Sequence, residues 1–234
     1  MNHAGETGRF DVDQLSKGQK QEYAYHFIKE RIKSHTYKPL QQLKENQLSE
    51  DLGCMSRTPI RDAVKRLAAE GYIDLRSNGM VVTKISIEDV MEISEIRMWL
   101  ESGTVKLFVE RAQPSEIARV EELFEAHALA HREGRFEDAN RLDNEYHLAI
   151  ADGSKNKRAR TMLAQLIDEY SRGAYALPPD EKHEQQVLAQ HWAILEAVKN
   201  KEIALAENTM KEHLTTCVTH LKELKLNNYY LFTN

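Results

Sequence analysis

Cysteine is nearly absent from this chain of 234 residues, which holds only Cys54 and Cys217, far apart in sequence. Two such residues make no disulfide framework, and a reducing cytoplasm is the simplest setting. Aromatic residues are scarce at 7%. No apolar run approaches the roughly 20 residues needed to cross a bilayer. Residues 1–17 are polar and mixed in charge, unlike a signal or transit peptide, and fit a disordered arm. An excess of positive charge is also lacking: the formal net charge is −5, which at first argues against a nucleic-acid partner.

What is present reverses that impression. Hydrophobic residues make up 41% and charged residues 29%, enough for a real core in a helical soluble protein. The length suits one large domain or two smaller ones. Residues 1–84 hold 14 Lys and Arg against 11 Asp and Glu, whereas residues 85–234 hold 18 against 26. A mildly basic front and an acidic rear imply that only the front meets DNA.

The front reads as a sequence of short elements. A first helix is expected over 19–34, with Tyr23, Phe27, Ile28 and Ile32 on one side, before Pro39 interrupts the chain. A short second helix over 45–52 stops at Gly53, a usual C-terminal signal. A third helix is expected to be capped by Thr58, with Pro59 in its first turn. Ile60, Ala63, Val64, Leu67 and Ala68 give it a core stripe. Arg57, Arg61 and Lys65 lie on the other side, Arg66 lies near the border, and Gly71 ends the helix. Residues 72–75 and 80–83 read as two strands about an Asn78-Gly79 hairpin turn flanked by Arg76. Arginine suits such a reader, because its planar fork grips guanine O6 and N7 together. A glycine at the hairpin tip allows close approach to the nucleic-acid backbone or minor groove.

This segment resembles the winged helix-turn-helix of the GntR family of bacterial transcription regulators. Ser56-Arg57-Thr58-Pro59-Ile60-Arg61-Asp62-Ala63-Val64 matches the hallmark S-R-T-P-V-R-E-A-L, and Glu70-Gly71-Tyr72-Ile73 matches E-G-L-V. The resemblance spans about 19–86 and implies DNA contacts at Arg57, Thr58 and Arg61, with the wing tip at Gly79. Three departures stand out. Asn46 occupies a position often basic, the family's P-G is Pro39-Leu40, and one extra residue near Cys54-Met55 lengthens the turn before Ser56.

From Ser86 onward no strand signals or repeats occur. Ser86-Ile87-Glu88-Asp89 has the form of a capping box. The helix it opens carries Val90, Ile93, Leu100 and Leu107 and ends before Pro114. Further amphipathic helices are expected at about 115–132, 135–152, 156–176, 180–199 and 201–223. They are separated by Gly134, Gly153 to Asn156, Pro178-Pro179 and Asn200, which predicts an antiparallel bundle. The expected fold class is therefore mainly α. A disordered arm (1–18) leads into a winged helix-turn-helix with a small β-wing (19–85). An all-α bundle (86–223) and an apolar, aromatic tail (224–234) follow.

Among ten histidines, His3, His26 and His35 show no metal geometry. His127 and His131 are one turn apart, in surroundings that read as polar and solvent-like, so that pair is set aside. Asp143 and His147 also lie one turn apart, beside Leu142, Leu148 and Ile150, and His191 and His213 follow on two later helices beside apolar residues. One carboxylate and three imidazoles suit zinc, nickel, manganese or iron and leave room for water or a ligand oxygen. Spacing alone does not select these four.

The rear half resembles the FCD domain, a ligand-binding bundle that follows one subgroup of GntR readers. Asp143 to His147 matches its D-x-x-F-H helix, and Ser154-Lys155-Asn156 a loosely kept S-G-N. Gln190-His191-Trp192-Ala193-Ile194 matches E-H-x-x-I, and Met210-Lys211-Glu212-His213-Leu214 matches M-x-x-H-L. The resemblance implies a divalent metal, zinc first, on Asp143, His147, His191 and His213, with a small carboxylate effector bound over it. Arg97, in Glu95-Ile96-Arg97, matches the family's E-x-R. It is either an effector contact, gripping a carboxylate bidentately, or a salt-bridge partner of Glu101 at i+4.

The expected function is a cytoplasmic, homodimeric regulator, a repressor in the usual family pattern, that binds palindromic double-stranded DNA under effector control. Three other readings stand beside it: a metal-free effector pocket, the metal itself as signal, and a metal-dependent enzyme using Asp143, His147 and His191. The enzyme reading lacks a placed general base.

Overall fold

The computed structural model describes residues 14–77, 79–174 and 180–227. The first 13 residues, His3 among them, Asn78, the Pro178-Pro179 break and the tail beyond residue 227 lie outside the described residues. The chain divides into two compact units, Met1–Lys84 and Ile85–Asn234.

In the front unit, α1 (Lys17–Lys33) starts at a reciprocal cap in which Gln19 N–H donates to Ser16 Oγ and Ser16 N–H donates to Gln19 Oε1. Its core-facing residues are Ala24, Tyr25, Ile28 and Ile32, whereas Tyr23 and Phe27 pack only partly against the core. The pair α2 (Glu45–Asp51) and α3 (Arg57–Ala69) is joined by a turn in which Gly53 (φ 70°) and Cys54 (φ 64°) are left-handed. The N-cap of α3 is Ser56, not Thr58. Thr58 and Pro59 lie in the first turn, where a missing N–H costs nothing because no intrahelical acceptor exists there. Pro59, Ile60, Ala63, Val64 and Leu67 are buried, and α1 packs against this helix.

The sheet differs from expectation in two ways. It has a third strand, β1 (Gln42–Leu43), too short to show periodicity, paired on β3 in the order β1-β3-β2. The hairpin strands, β2 (Ile73–Arg76) and β3 (Gly79–Val82), are antiparallel with Arg76 opposite Gly79. Gly79 therefore opens the return strand instead of sitting in the turn. Its φ of 134° requires glycine there, and a side chain would crowd Gln42.

The rear unit is helical throughout its described residues: α4 (Ile87–Arg111), α5 (Pro114–Arg132), α6 (Phe136–Gly153), α7 (Lys157–Ala174), α8 (Glu181–Lys199) and α9 (Ile203–Asn227). Ser86 and Asp89 form the expected capping box of α4. Short connections set α5 against α6 and α8 against α9, while α4 packs against α6, α7, α8 and α9. This central helix departs from its sequence pattern. Val90 and Ile93 are buried as expected, but Leu100 and Leu107 are only half-buried. The inner face runs Ser94, Arg97, Glu101, Val105, Phe108, so two opposite charges sit inside the bundle. Gly153 at the end of α6 lies against the Phe108 ring with no room for a Cβ. Among the described residues, no helix is long and apolar enough to cross a membrane.

Candidate metal centre and nucleic-acid interface

On α3 the side chains opposite the buried stripe are exposed: Arg57, Thr58, Arg61 and Lys65. Their surface partners come from the first turn of α2. Arg61 Nε and a terminal nitrogen donate to Glu45 at 2.6 and 3.0 Å, and Arg57 donates to Asn46 Oδ1 at 3.3 Å. Arg76 is exposed on the wing and pairs with Asp74 at 3.0 Å. Such exposed pairs are weak and exchange readily for phosphate or base contacts. Arg66 serves packing instead: its guanidinium lies 3.6 Å from the Tyr25 ring centroid and donates to Glu22 and Glu70.

In the rear unit the four sequence-selected residues converge. The buried face of α6, with Leu142, Tyr146 and Ile150, carries His147 inward, and Asp143 lies one turn earlier. His191 projects from α8 and His213 from α9, both fully buried. His213 Nε2 lies 3.3 Å from His147 Nε2 and 3.3 Å from His191 Nε2. Asp143 Oδ1 lies 3.6 Å from His191 Nε2 and 3.9 Å from His147 Nε2. Metal–nitrogen bonds of about 2.0–2.1 Å imply ligand–ligand edges of roughly 3.0 Å in octahedral and 3.4 Å in tetrahedral geometry. The imidazole spacing falls within that range.

The surroundings prepare the lone pairs. Burial, reinforced by neighbouring imidazoles, holds His191 and His213 well below the ordinary histidine pKa and therefore neutral. Asp143 is held below the ordinary carboxylate range: burial opposes its charge, but His147 and His127, with Arg97 adding, outweigh that cost. Tyr146 stacks on the His191 ring at 4.3 Å and donates its hydroxyl hydrogen to the His191 carbonyl at 2.8 Å, fixing both. Nδ1 of His191 and Nδ1 of His213 are buried without a hydrogen-bond partner. Their Nε2 atoms instead face one another and His147 Nε2, the side on which a cation would be held. The donor set fits a divalent transition metal.

Two residues that the sequence reading passed over belong here. Glu101 Oε2 approaches His147 Nδ1 at 2.5 Å, closer than it is well aligned, so the contact is electrostatic more than a directed hydrogen bond. A carboxylate behind a ligating imidazole orients the ring and leaves Nε2 free for metal. Glu101 also accepts from Arg97 Nε at 2.7 Å, inside the bundle. Burial works against both charges, but Arg97 and His147 outweigh it and push Glu101 down to about 2. Arg97 is pushed up by Glu101, again against burial, and lies 4.5 Å from the Tyr170 ring centroid. Of the two roles open to Arg97, the salt bridge is the one present in the geometry. The only sequence signal for Glu101 was its spacing from Arg97.

The second residue is His127. The expectation of a solvent-like His127/His131 pair fails: the two are 2% and 9% exposed. Helix α5 packs on α6 and α8, so this stripe faces inward. His131 Nε2 lies 3.7 Å from Glu181, whereas one His127 ring nitrogen clusters with Asp143 and His191.

Comparison with known proteins fits both halves. The FCD domain model matches residues 92–216, and the model described as bacterial regulatory proteins, gntR family, matches residues 20–82. The chain is 28% identical over 202 residues to the uncharacterized HTH-type transcriptional regulator YdhC of Bacillus subtilis (strain 168), covering 86% of this chain and 90% of that one. It is 28% identical over 180 residues to the HTH-type transcriptional regulator McbR of Escherichia coli (strain K12), covering 75% and 80%. The solved structure of E. coli McbR/YncC superposes with a TM-score of 0.75 at 24% identity, over 90% of this chain and 99% of that one. At that identity the superposition speaks for the fold alone.

Proposed function

The chain belongs to the GntR family, in the branch that carries an FCD domain, and we propose that a small carboxylate bound at a divalent metal in its rear unit sets its affinity for DNA. It is a DNA-binding transcriptional regulator, as the family and its relatives are, and not an enzyme. The observation that carries the proposal is the convergence of His147, His191 and His213 at 3.3 Å beside the ionised Asp143. Zinc is the first candidate, with nickel, manganese and iron also compatible with this donor set.

In this reading Asp143, His147, His191 and His213 hold the ion, and Glu101 orients His147. The ion supplies a Lewis-acidic seat for an effector oxygen. Arg97 commits Nε to Glu101 and offers its terminal nitrogens to the effector carboxylate. In the front unit, Arg57, Thr58, Arg61 and Lys65 face the major groove, while Arg76 and Gly79 bring the wing to the DNA backbone. Two copies are needed to place paired recognition helices on a palindromic site. The effector controls DNA only by binding the DNA-bound and free geometries with different affinity. In this reading the protein is a repressor released by its effector, after the usual family pattern.

Elemental analysis of the purified protein, paired with a thermal-shift screen of small carboxylic acids with and without chelator, tests this. About one transition metal per chain and a chelator-sensitive shift from one acid are expected. Metal-free protein whose acid response ignores chelator would overturn the metal-centred reading and leave the DNA reader intact.

A further inference from the structure

His127 lies outside the ligand set that the sequence motifs select, yet its environment is that of a ligand. Its side chain is 2% exposed, and Nδ1 has no hydrogen-bond partner. One of its ring nitrogens, an Asp143 carboxylate oxygen and a His191 ring nitrogen all lie within 4.8 Å of one another. The His127 and His191 rings are 5.7 Å apart at 54°, so neither stacking nor a mutual hydrogen bond accounts for the position. An imidazole buried beside a carboxylate and a second imidazole, with a nitrogen unsatisfied, has the setting of a group waiting for a cation.

The triads His147–His191–His213 and His127–Asp143–His191 share His191. Asp143 Oδ1 of the second triad lies 3.6 Å from His191 Nε2 and 3.9 Å from His147 Nε2, so it borders the first triad as well. The triads therefore describe one coordination sphere rather than two. We propose that His127 is a fifth protein ligand to the single divalent metal of the rear unit, making a donor set of four imidazoles and one carboxylate. This rests on the metal-centred reading above and extends it.

The extension has chemical content. Five protein donors exceed the four of closed tetrahedral zinc and suit ions that accept five or six ligands, such as nickel, cobalt, iron or manganese. An octahedral ion so held keeps one open position. The effector class narrows to acids that place one oxygen on the metal and take their second contact from the protein. Hydroxy acids that chelate through two adjacent oxygens lose their advantage. His127 also draws α5 into the metal's hold, beside α6, α8 and α9.

Proton NMR of the full-length protein loaded with cobalt(II) counts the imidazole ligands directly. Each bound ring gives one strongly shifted, solvent-exchangeable N–H resonance. Four are expected in the wild type and three in His127→Gln, with cobalt affinity weakened at least about tenfold, since even outer-shell changes cost about 10–100-fold. Three resonances in the wild type would overturn the inference while leaving the metal-centred reading in place. Four that persist in His127→Gln would overturn it as well, because the fourth ring would then be another histidine. Failure of the protein to take up cobalt, nickel or zinc would overturn both. The wild-type count does not depend on the variant folding.

Discussion

Leu40 and Lys155 occupy positions where the family pattern has glycine, and both are left-handed, with φ of 64° and 60°. A side chain there costs roughly 1–2 kcal/mol, part of which glycine returns as unfolded-state entropy. Leu40 is half exposed, so little packing is lost with it. Leu40→Gly is expected to stabilise the front unit by up to about 1 kcal/mol, seen as a higher urea midpoint. A lower midpoint would show that the Leu40 side chain contributes more than its strain costs. Lys155 is a poorer subject because it pairs with Glu116.

The Glu45–Arg61 pair sets a second residue-level test. If Arg61 contacts DNA as proposed, Glu45 must first release its guanidinium. On genomic fragments selected by the wild type, Arg61→Ala should lose about 1–3 kcal/mol of binding, whereas Glu45→Gln should bind as well or a few-fold better. Unchanged affinity in Arg61→Ala would remove that residue from the interface.

Glu184 offers a titration. Burial, with Asp143, Asp180 and Glu181 adding, pushes its carboxyl up to about 7. The unfolded carboxyl titrates near 4.3, so the folded state holds a proton that the unfolded state has lost. That contribution is complete below about pH 4.3 and is lost as pH rises through 7. It is worth at most about 4 kcal/mol, less what residual solvent returns. In chelator, wild-type melting temperature should fall from pH 5 to 8 more steeply than that of Glu184→Gln, and parallel profiles would refute the assignment.

At the level of elements, most helix starts were legible to within two residues, because punctuation and period agreed. Ser86 and Asp89 announced α4, Pro114 is the first residue of α5, and Asn200 follows α8. Strands were harder. The Asn-Gly pair drew the turn one residue too far along, and β1 has two residues, too few for alternation. The inner face of α4 was misread for a different reason. Spacing pairs Arg97 with Glu101 but does not show that both are buried, where their pairing, with His147 beside Glu101, offsets the cost of burial. Asp143, His147, His191 and His213 were found because short motifs recur in order, whereas Glu101 and His127 carry no motif, and burial is invisible in a string of letters. The close approach of α6 to α4 was equally hidden. Gly153→Ala would drive a methyl into the Phe108 ring, with an expected loss of about 1–3 kcal/mol by denaturant titration. A neutral result would mean that Phe108 has another rotamer to adopt.

For the whole molecule, the two units should respond differently to one reagent. A ligand that binds only the folded state adds stability by mass action, about 4 kcal/mol at a thousand times Kd. Chelation should therefore lower the calorimetric transition of the rear unit and leave that of the front unit in place. Coincident shifts of both would mean that the units melt as one.

The order of these parts along the chain also sets a clock. The core of the reader closes with Val82, but the last proposed ligand, His213, is 129 residues beyond Lys84. At roughly 5–20 residues per second, about 6–26 seconds of synthesis separate the two. During that interval a ribosome carries a reader whose sensor has yet to be made. If the rear unit senses an effector as proposed, each molecule begins deaf to it and gains hearing only when α9 closes on α8.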